Sequence, residues 1–181
     1  MTMTLVAATL AGAIAAQAAP VNPQAAALSE FTKRLKEYLQ LRDEIGRKLE
    51  PLECTASATE LKVRQQALEA GLRAARAGAR QGDLVPLPVQ RQIREIVAAD
   101  FRRREPAARR SALEEVPKGP LPGINRHYPD QAALPTVPPL LLASLPPLPD
   151  NLQYRFFGRH VVILDGDVRI VVDYVPEAVP R

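Results

Sequence analysis

Apolar residues recur at Leu28, Phe31, Leu35, Tyr38, Ile45, Leu49 and Leu52, at spacings of three, four and seven, with Arg42 inside the seven. That is an a/d seam over roughly four heptads with one polar seam position, and it predicts a coiled-coil-like helix over 24–53. Ser29 and Glu30 near the start and Pro51 near the end suit its boundaries. Arg42 is expected to snorkel its head to solvent, the alternative being a carboxylate on the facing helix. Leu61, Leu68, Leu72 and Ala75 continue the period in a second helix over 58–81, with Thr59 as N-cap and Gly82-Asp83 as the stop. The two segments read as an antiparallel helical hairpin. A third helix starts near Pro88 and runs to about Arg104, with Val89, Ile93, Ile96, Val97 and Phe101 as its stripe. Three helices around one narrow seam is the simplest arrangement.

The pattern changes after Pro106. Residues 106–150 hold eleven prolines, and so many missing N–H donors exclude a long helix or a central strand. Leu140-Leu141-Leu142 and Leu145-Pro146-Pro147-Leu148 are too apolar for a free linker. The stretch is expected to be an ordered strap on the body with a helical turn at 139–145.

Beyond it, Leu152–Phe157, His160–Leu164 and Val168–Tyr174 alternate as three short strands. Gly158-Arg159 and Asp165-Gly166 are two-residue turn signals. Together they predict a register in which Phe156 faces Val161, Tyr154 faces Ile163, Ile163 faces Val168 and Val161 faces Ile170. One face then collects Tyr154, Phe156, Val161, Ile163, Val168, Ile170, Val172 and Tyr174. The other carries Arg155, Phe157, His160, Val162, Leu164, Arg169, Val171 and Asp173, too apolar to stand in water, so a strap, helix or partner should cover part of it. The fold class is α+β: an N-terminal antiparallel helical hairpin plus a third helix, a proline-rich strap, and a C-terminal three-stranded antiparallel β-meander. The divisions fall at 1–18, 19–105, 106–150 and 151–181.

The first eighteen residues stand apart. Leu5–Ala16 reads LVAATLAGAIAA and Ala16-Gln17-Ala18 gives the A-x-A pattern of signal peptidase. The run is shorter than the about 20 residues that a spanning helix needs. No Lys or Arg precedes it, so the amine of Met1 or an upstream start must supply the positive charge. The expectation is a cleaved signal peptide, a periplasmic or secreted bacterial protein, and no transmembrane anchor after cleavage. An Ala-rich helix kept in a cytosolic protein is the rival.

Composition adds charge placement. The net charge is +4, yet residues 59–110 hold twelve Lys/Arg against six Asp/Glu and residues 111–181 hold six against eight. Arg102, Arg103, Arg104, Arg109 and Arg110 form the sharpest cluster and are candidate contacts for an anionic surface. In an exported protein that surface would be envelope phosphate or carboxylate, with nucleic acid disfavoured because only Phe101 offers a stacking ring nearby. The single cysteine, Cys54, permits no intramolecular disulfide.

Catalytic signatures are missing: there is no Gly-rich phosphate loop, nucleophile-elbow serine or paired-cysteine metal motif. His127 and His160 stand alone, and Asp165 and Asp167 flank a glycine as in a turn. Asn125–Pro129 groups polar and aromatic residues in a loop, read as structural. No cofactor, metal ligand or catalytic residue is assigned.

The stretch from Leu145 to Val175, LPPLPDNLQYRFFGRHVVILDGDVRIVVDYV, resembles the tail of uncharacterised exported bacterial proteins and, more loosely, the C-terminal module of the RcnB-type periplasmic nickel/cobalt-homeostasis family. Shared are a proline-rich lead, a tyrosine-bearing strand and a hydrophobic hairpin ending in Val-Asp. The resemblance covers about thirty residues and implies a periplasmic setting and a small β-meander. It carries over no metal ligands, because no histidine-rich stretch is present. The leading functional expectation is a non-catalytic envelope protein that binds a protein partner or itself. A metal-homeostasis accessory is the alternative, and a cytosolic nucleic-acid binder a further one if the N-terminus is retained.

Overall fold

The computed structural model describes residues 22–53, 55–114, 116–129 and 137–180; the expected signal segment and Cys54 lie outside these. The chain folds as α1 (Pro23–Arg47), α2 (Ala58–Ala75), α3 (Leu87–Arg103), α4 (Pro106–Glu114), α5 (Pro139–Leu142) and an antiparallel sheet β1 (Leu152–Phe157), β2 (His160–Asp165), β3 (Ile170–Val175), ordered β1-β2-β3. This is the α+β arrangement that the sequence pattern predicts.

Asn22 caps α1 by accepting the Gln24 N–H, and Pro23 takes the first turn, where a missing N–H costs nothing. The helix stops at Arg47, short of the expected 53, because a proline at 51 forces the residue before it out of helical geometry. The α2 cap is Ser57, not Thr59: Ser57 and Glu60 form a reciprocal capping box. α2 ends six residues early, at Ala75. Arg76 leaves helical geometry (φ −111°, ψ 28°), and its carbonyl accepts from Asn125 instead. Arg34 near the start of α1 donates to the carbonyls of Gly82 and Asp83, while Arg64 reaches Gly46 near its end. The two helices are therefore antiparallel. At Gly71 the absence of a side chain leaves room for Ile45 of α1.

The helices do not close on one narrow seam. Phe31, Leu35, Tyr38, Leu72, Val89, Ile93, Val97 and Phe101 share one buried cluster with Tyr154, Phe156, Val161, Ile163, Ile170 and Val172, so the seam faces the sheet. A sheet face of that size removes more apolar surface from water than a third small helix could. The strap begins later than expected. With no proline between Pro106 and Pro117, residues 106–114 make the nine-residue α4, and the proline-rich path follows it.

The first hairpin has the predicted register, Phe156 opposite Val161 and Tyr154 opposite Ile163. The second does not. Asp165 pairs with Ile170 and Leu164 with Val171, then the register slips so that Ile163 pairs with Asp173 and Val161 with Val175. Two physical causes separate this from a two-residue turn. The Asp165 carboxylate accepts the N–H groups of Asp167 and Val168, building a four-residue loop whose left-handed position is Arg169 (φ 54°). Gly166 lies against the end of the Gln153 side chain, which a Cβ there would meet at 2.9 Å and displace. A bulge in β3 then leaves Val172 as the extra residue. It turns Asp173 to the helix side and Tyr174 to the far side, the reverse of the expected faces. That far face is covered: Tyr128, Leu121 and Ile124 pack on Phe157, Val162, Leu164 and Val171. The 125–128 segment also bonds to β3 through Asn125 and Arg126, both on Val171, and to Arg169 just before it through Tyr128.

Candidate functional site

Two carboxylates of the sheet, Asp165 and Asp173, are fully buried, and each has a structural task. Asp165 Oδ2 accepts the Tyr38 hydroxyl at 2.7 Å and Arg42 Nε at 3.0 Å, and Arg42 also reaches Asp167. Arg42 therefore pairs with the turn of the sheet and neither snorkels nor meets a helix carboxylate. Burial, then the Asp165 charge, pushes the Tyr38 hydroxyl pKa upward, so it remains a donor. Asp173 accepts N–H groups of Gly82 (3.0 Å), Leu84 (2.9 Å) and Val85 (2.8 Å). Burial raises its pKa and these donors oppose the rise. Arg76 stacks on the Tyr38 ring and donates to Asn125 and to the Val172 carbonyl. The Asn125–Pro129 loop is thus architectural, with Tyr128 fully buried and His127 set 3.5 Å from Glu69.

The sequence signal for the two buried acids was a carboxylate set in an apolar strand, Asp165 closing β2 and Asp173 inside β3, and the alternation rule misplaced the second. Among the described residues no group of three or more His, Cys, Asp or Glu is placed to hold a metal ion. No helix is long and apolar enough to cross a membrane among those residues.

The arginine cluster divides. Arg104 bonds to Asp100 at 2.5 Å and lies over the Phe101 ring, so its charge is answered inside the protein. Arg103 is exposed at the end of α3 and lines no cavity with the others. Arg102, Arg109 and Arg110 come together on a groove of ≈ 470 Å³ between α3 and α4, floored by Ala98, Phe101, Leu113 and Pro180. All three side chains are exposed, and none has an ion pair among the described residues. The helices deliver them because α3 ends on its basic turn at Arg103 and α4 starts three residues later at Pro106. Residues 91–110 carry seven Arg against three Asp/Glu, an excess of four that equals the net charge of the whole chain. Unpaired guanidiniums on an apolar floor suit a planar oxyanion, which they can hold by two parallel N–H bonds.

No family model, curated protein or solved structure matches this chain.

Proposed function

We propose that this is an exported, non-catalytic binding protein of the bacterial envelope whose α3–α4 face holds the phosphates of an anionic surface. The observation that carries the reading is the convergence of Arg102, Arg109 and Arg110 on one groove without an ion-pair partner among the described residues. The polar groups buried beneath the sheet, by contrast, are engaged in holding the fold. Export rests on the apolar run and A-x-A pattern of the first eighteen residues and on the resemblance of Leu145–Val175 to exported proteins.

Each arginine near an anionic surface contributes about 1 kcal/mol, so three should change affinity about hundredfold. The test is co-sedimentation with vesicles of phosphatidylcholine alone or mixed with phosphatidylglycerol, for the natural chain and for Arg102→Gln/Arg109→Gln/Arg110→Gln. Binding to the anionic vesicles only, weakened by salt and lost in the triple variant, is the expected result. Equal binding to both vesicles, or a triple variant that binds as well as the natural chain, would remove the reading. N-terminal sequencing tests export separately, with Ala19 expected as the first residue.

A further inference from the structure

The free end of the α1–α2 hairpin is poorly explained by the fold of one chain. Between Tyr38 and Leu72 no described residue is buried. From the Ile45–Gly71 contact outward a cleft of ≈ 710 Å³ opens between the helices, and a second hollow of ≈ 310 Å³ adjoins it. Leu49, Pro51 and Leu52 line both. Of the six exposed large hydrophobic side chains among the described residues, three lie here: Leu52, Leu61 and Val63, at 39%, 46% and 59% exposure. The first ten residues of α2 thus form helix with no buried side chain. Short helices are marginal in water unless an apolar face is packed.

Charge says what packs there. Residues 42–67 carry Arg42, Arg47, Lys48, Lys62 and Arg64 against Asp43, Glu44, Glu50, Glu53 and Glu60, five of each sign. This neutrality sits on a chain of net charge +4. The signs are unevenly placed: Glu50, Glu53 and Glu60 against Arg64 line the outer hollow, and Arg47 and Arg64 against Asp43 line the cleft, where Arg42 and Asp167 pair with each other. Arg47, Glu50 and Glu53 have no ion pair among the described residues. A partner of one charge would meet repulsion on half of such a patch. A second copy, turned by a two-fold axis through the apolar centre, sets the basic side of each against the acidic side of the other. Self-complementarity of that kind is what an isologous interface requires.

We propose that the tip of the α1–α2 hairpin is a homodimer interface, with Leu52 at its centre, Leu61 on the cleft side and Val63 on the side of the outer hollow. The inference is independent of the arginine groove.

Sedimentation velocity of the purified protein from about 1 to 100 μM tests it, a range that brackets micromolar association. A dimer is expected, and Leu61→Glu/Val63→Glu should weaken it at least about a hundredfold while circular dichroism shows the fold intact. Leu140→Glu, at a position 83% exposed elsewhere, should leave it unchanged. A second pair avoids new charges in the apolar centre. Glu50→Lys/Glu53→Lys and Arg47→Glu/Lys48→Glu should each be monomeric alone and associate one-to-one when mixed. A natural chain that stays monomeric at about 100 μM overturns the proposal, as do a dimer insensitive to the leucine–valine change, open-ended oligomers, or charge variants that dimerise alone as well as mixed.

Discussion

Asp173 tests the account of the sheet most directly, because each of its two oxygens accepts two N–H groups. Oδ1 accepts the N–H groups of Gly82 and Tyr174, and Oδ2 those of Leu84 and Val85. In Asp173→Asn one oxygen becomes a donor that must face two other donors whichever way the amide turns. The better rotamer keeps the oxygen on Leu84 and Val85, whose environment is buried, and leaves the half-buried Gly82 and Tyr174 groups unanswered. Orphaning a buried N–H costs about 1–3 kcal/mol. Relief of the carboxylate's desolvation offsets part of that, so Asn should cost about 1–2 kcal/mol. Asp173→Ala abandons all four donors and should cost about 3–5 kcal/mol, summed from the same range. At roughly 2–4 °C per kcal/mol for a domain of this size, Ala lowers Tm by about 6–20 °C. Urea unfolding at pH 7 reads the order directly, as a fall in midpoint with unchanged slope. An Asn variant as stable as the natural chain, or an Ala variant within about 1 kcal/mol of it, would refute the claim that this carboxylate holds residues 82–85 to the sheet.

The helical glycines should respond in opposite directions. Gly71→Ala places a methyl 2.5 Å from Ile45 Cγ2 and should lose about 1–2 kcal/mol by overpacking, whereas Gly46→Ala meets nothing within 4 Å and should gain about 0.5 kcal/mol; thermal melts compare them. Arg42→Met leaves the buried Asp165 carboxylate without its cationic partner, with Tyr38 and the Asp167 and Val168 N–H groups remaining, and should cost about 3 kcal/mol, more than Tyr38→Phe at about 1–2 kcal/mol, both by urea titration. Burial, and then the Arg159 charge, lowers the His160 pKa below 6.5. The native state then binds fewer protons than the unfolded chain, so stability is complete above pH 6.5 and declines as pH falls from there toward the folded value. His160→Phe, which keeps the edge contact with Tyr174, should flatten that slope in a pH series of melts.

Periodicity located every major element except α4, and it located the first hairpin to the residue. Those features depend on alternation and on a two-residue loop at Gly158 (φ 54°), both local. What escaped was decided by side chains reaching across the chain. The Asp165 carboxylate organises a longer loop than Asp-Gly alone suggests. The bulge at Val172 reverses the parity of everything after it, so Asp173 and Tyr174 exchange faces. Arg42 was legible as a polar interruption of the seam, but its partners lie more than a hundred residues away. α4 was hidden by a density of prolines averaged over 106–150, although its own nine residues contain only the first. In the arginine cluster the sequence could not separate Arg104, answered four residues back by Asp100, from Arg102, Arg109 and Arg110, because that depends on which turn of which helix faces the groove.

The placement of charge ties the two proposed surfaces together. Sheet carboxylates are drawn inward, where helix arginines and loop N–H groups answer them, so the outward excess is positive and sits on α3 and α4. The hairpin tip carries no such excess, and a dimer through it brings two arginine grooves into one assembly. If both grooves reach one membrane, the second contact is intramolecular, and its effective concentration raises the affinity without any added contact. Leu61→Glu/Val63→Glu then has a consequence at a site it does not touch: vesicle binding should weaken together with the dimer. A tip variant that loses the dimer yet binds anionic vesicles like the natural chain would mean that each groove acts alone, and that dimerisation serves some other contact.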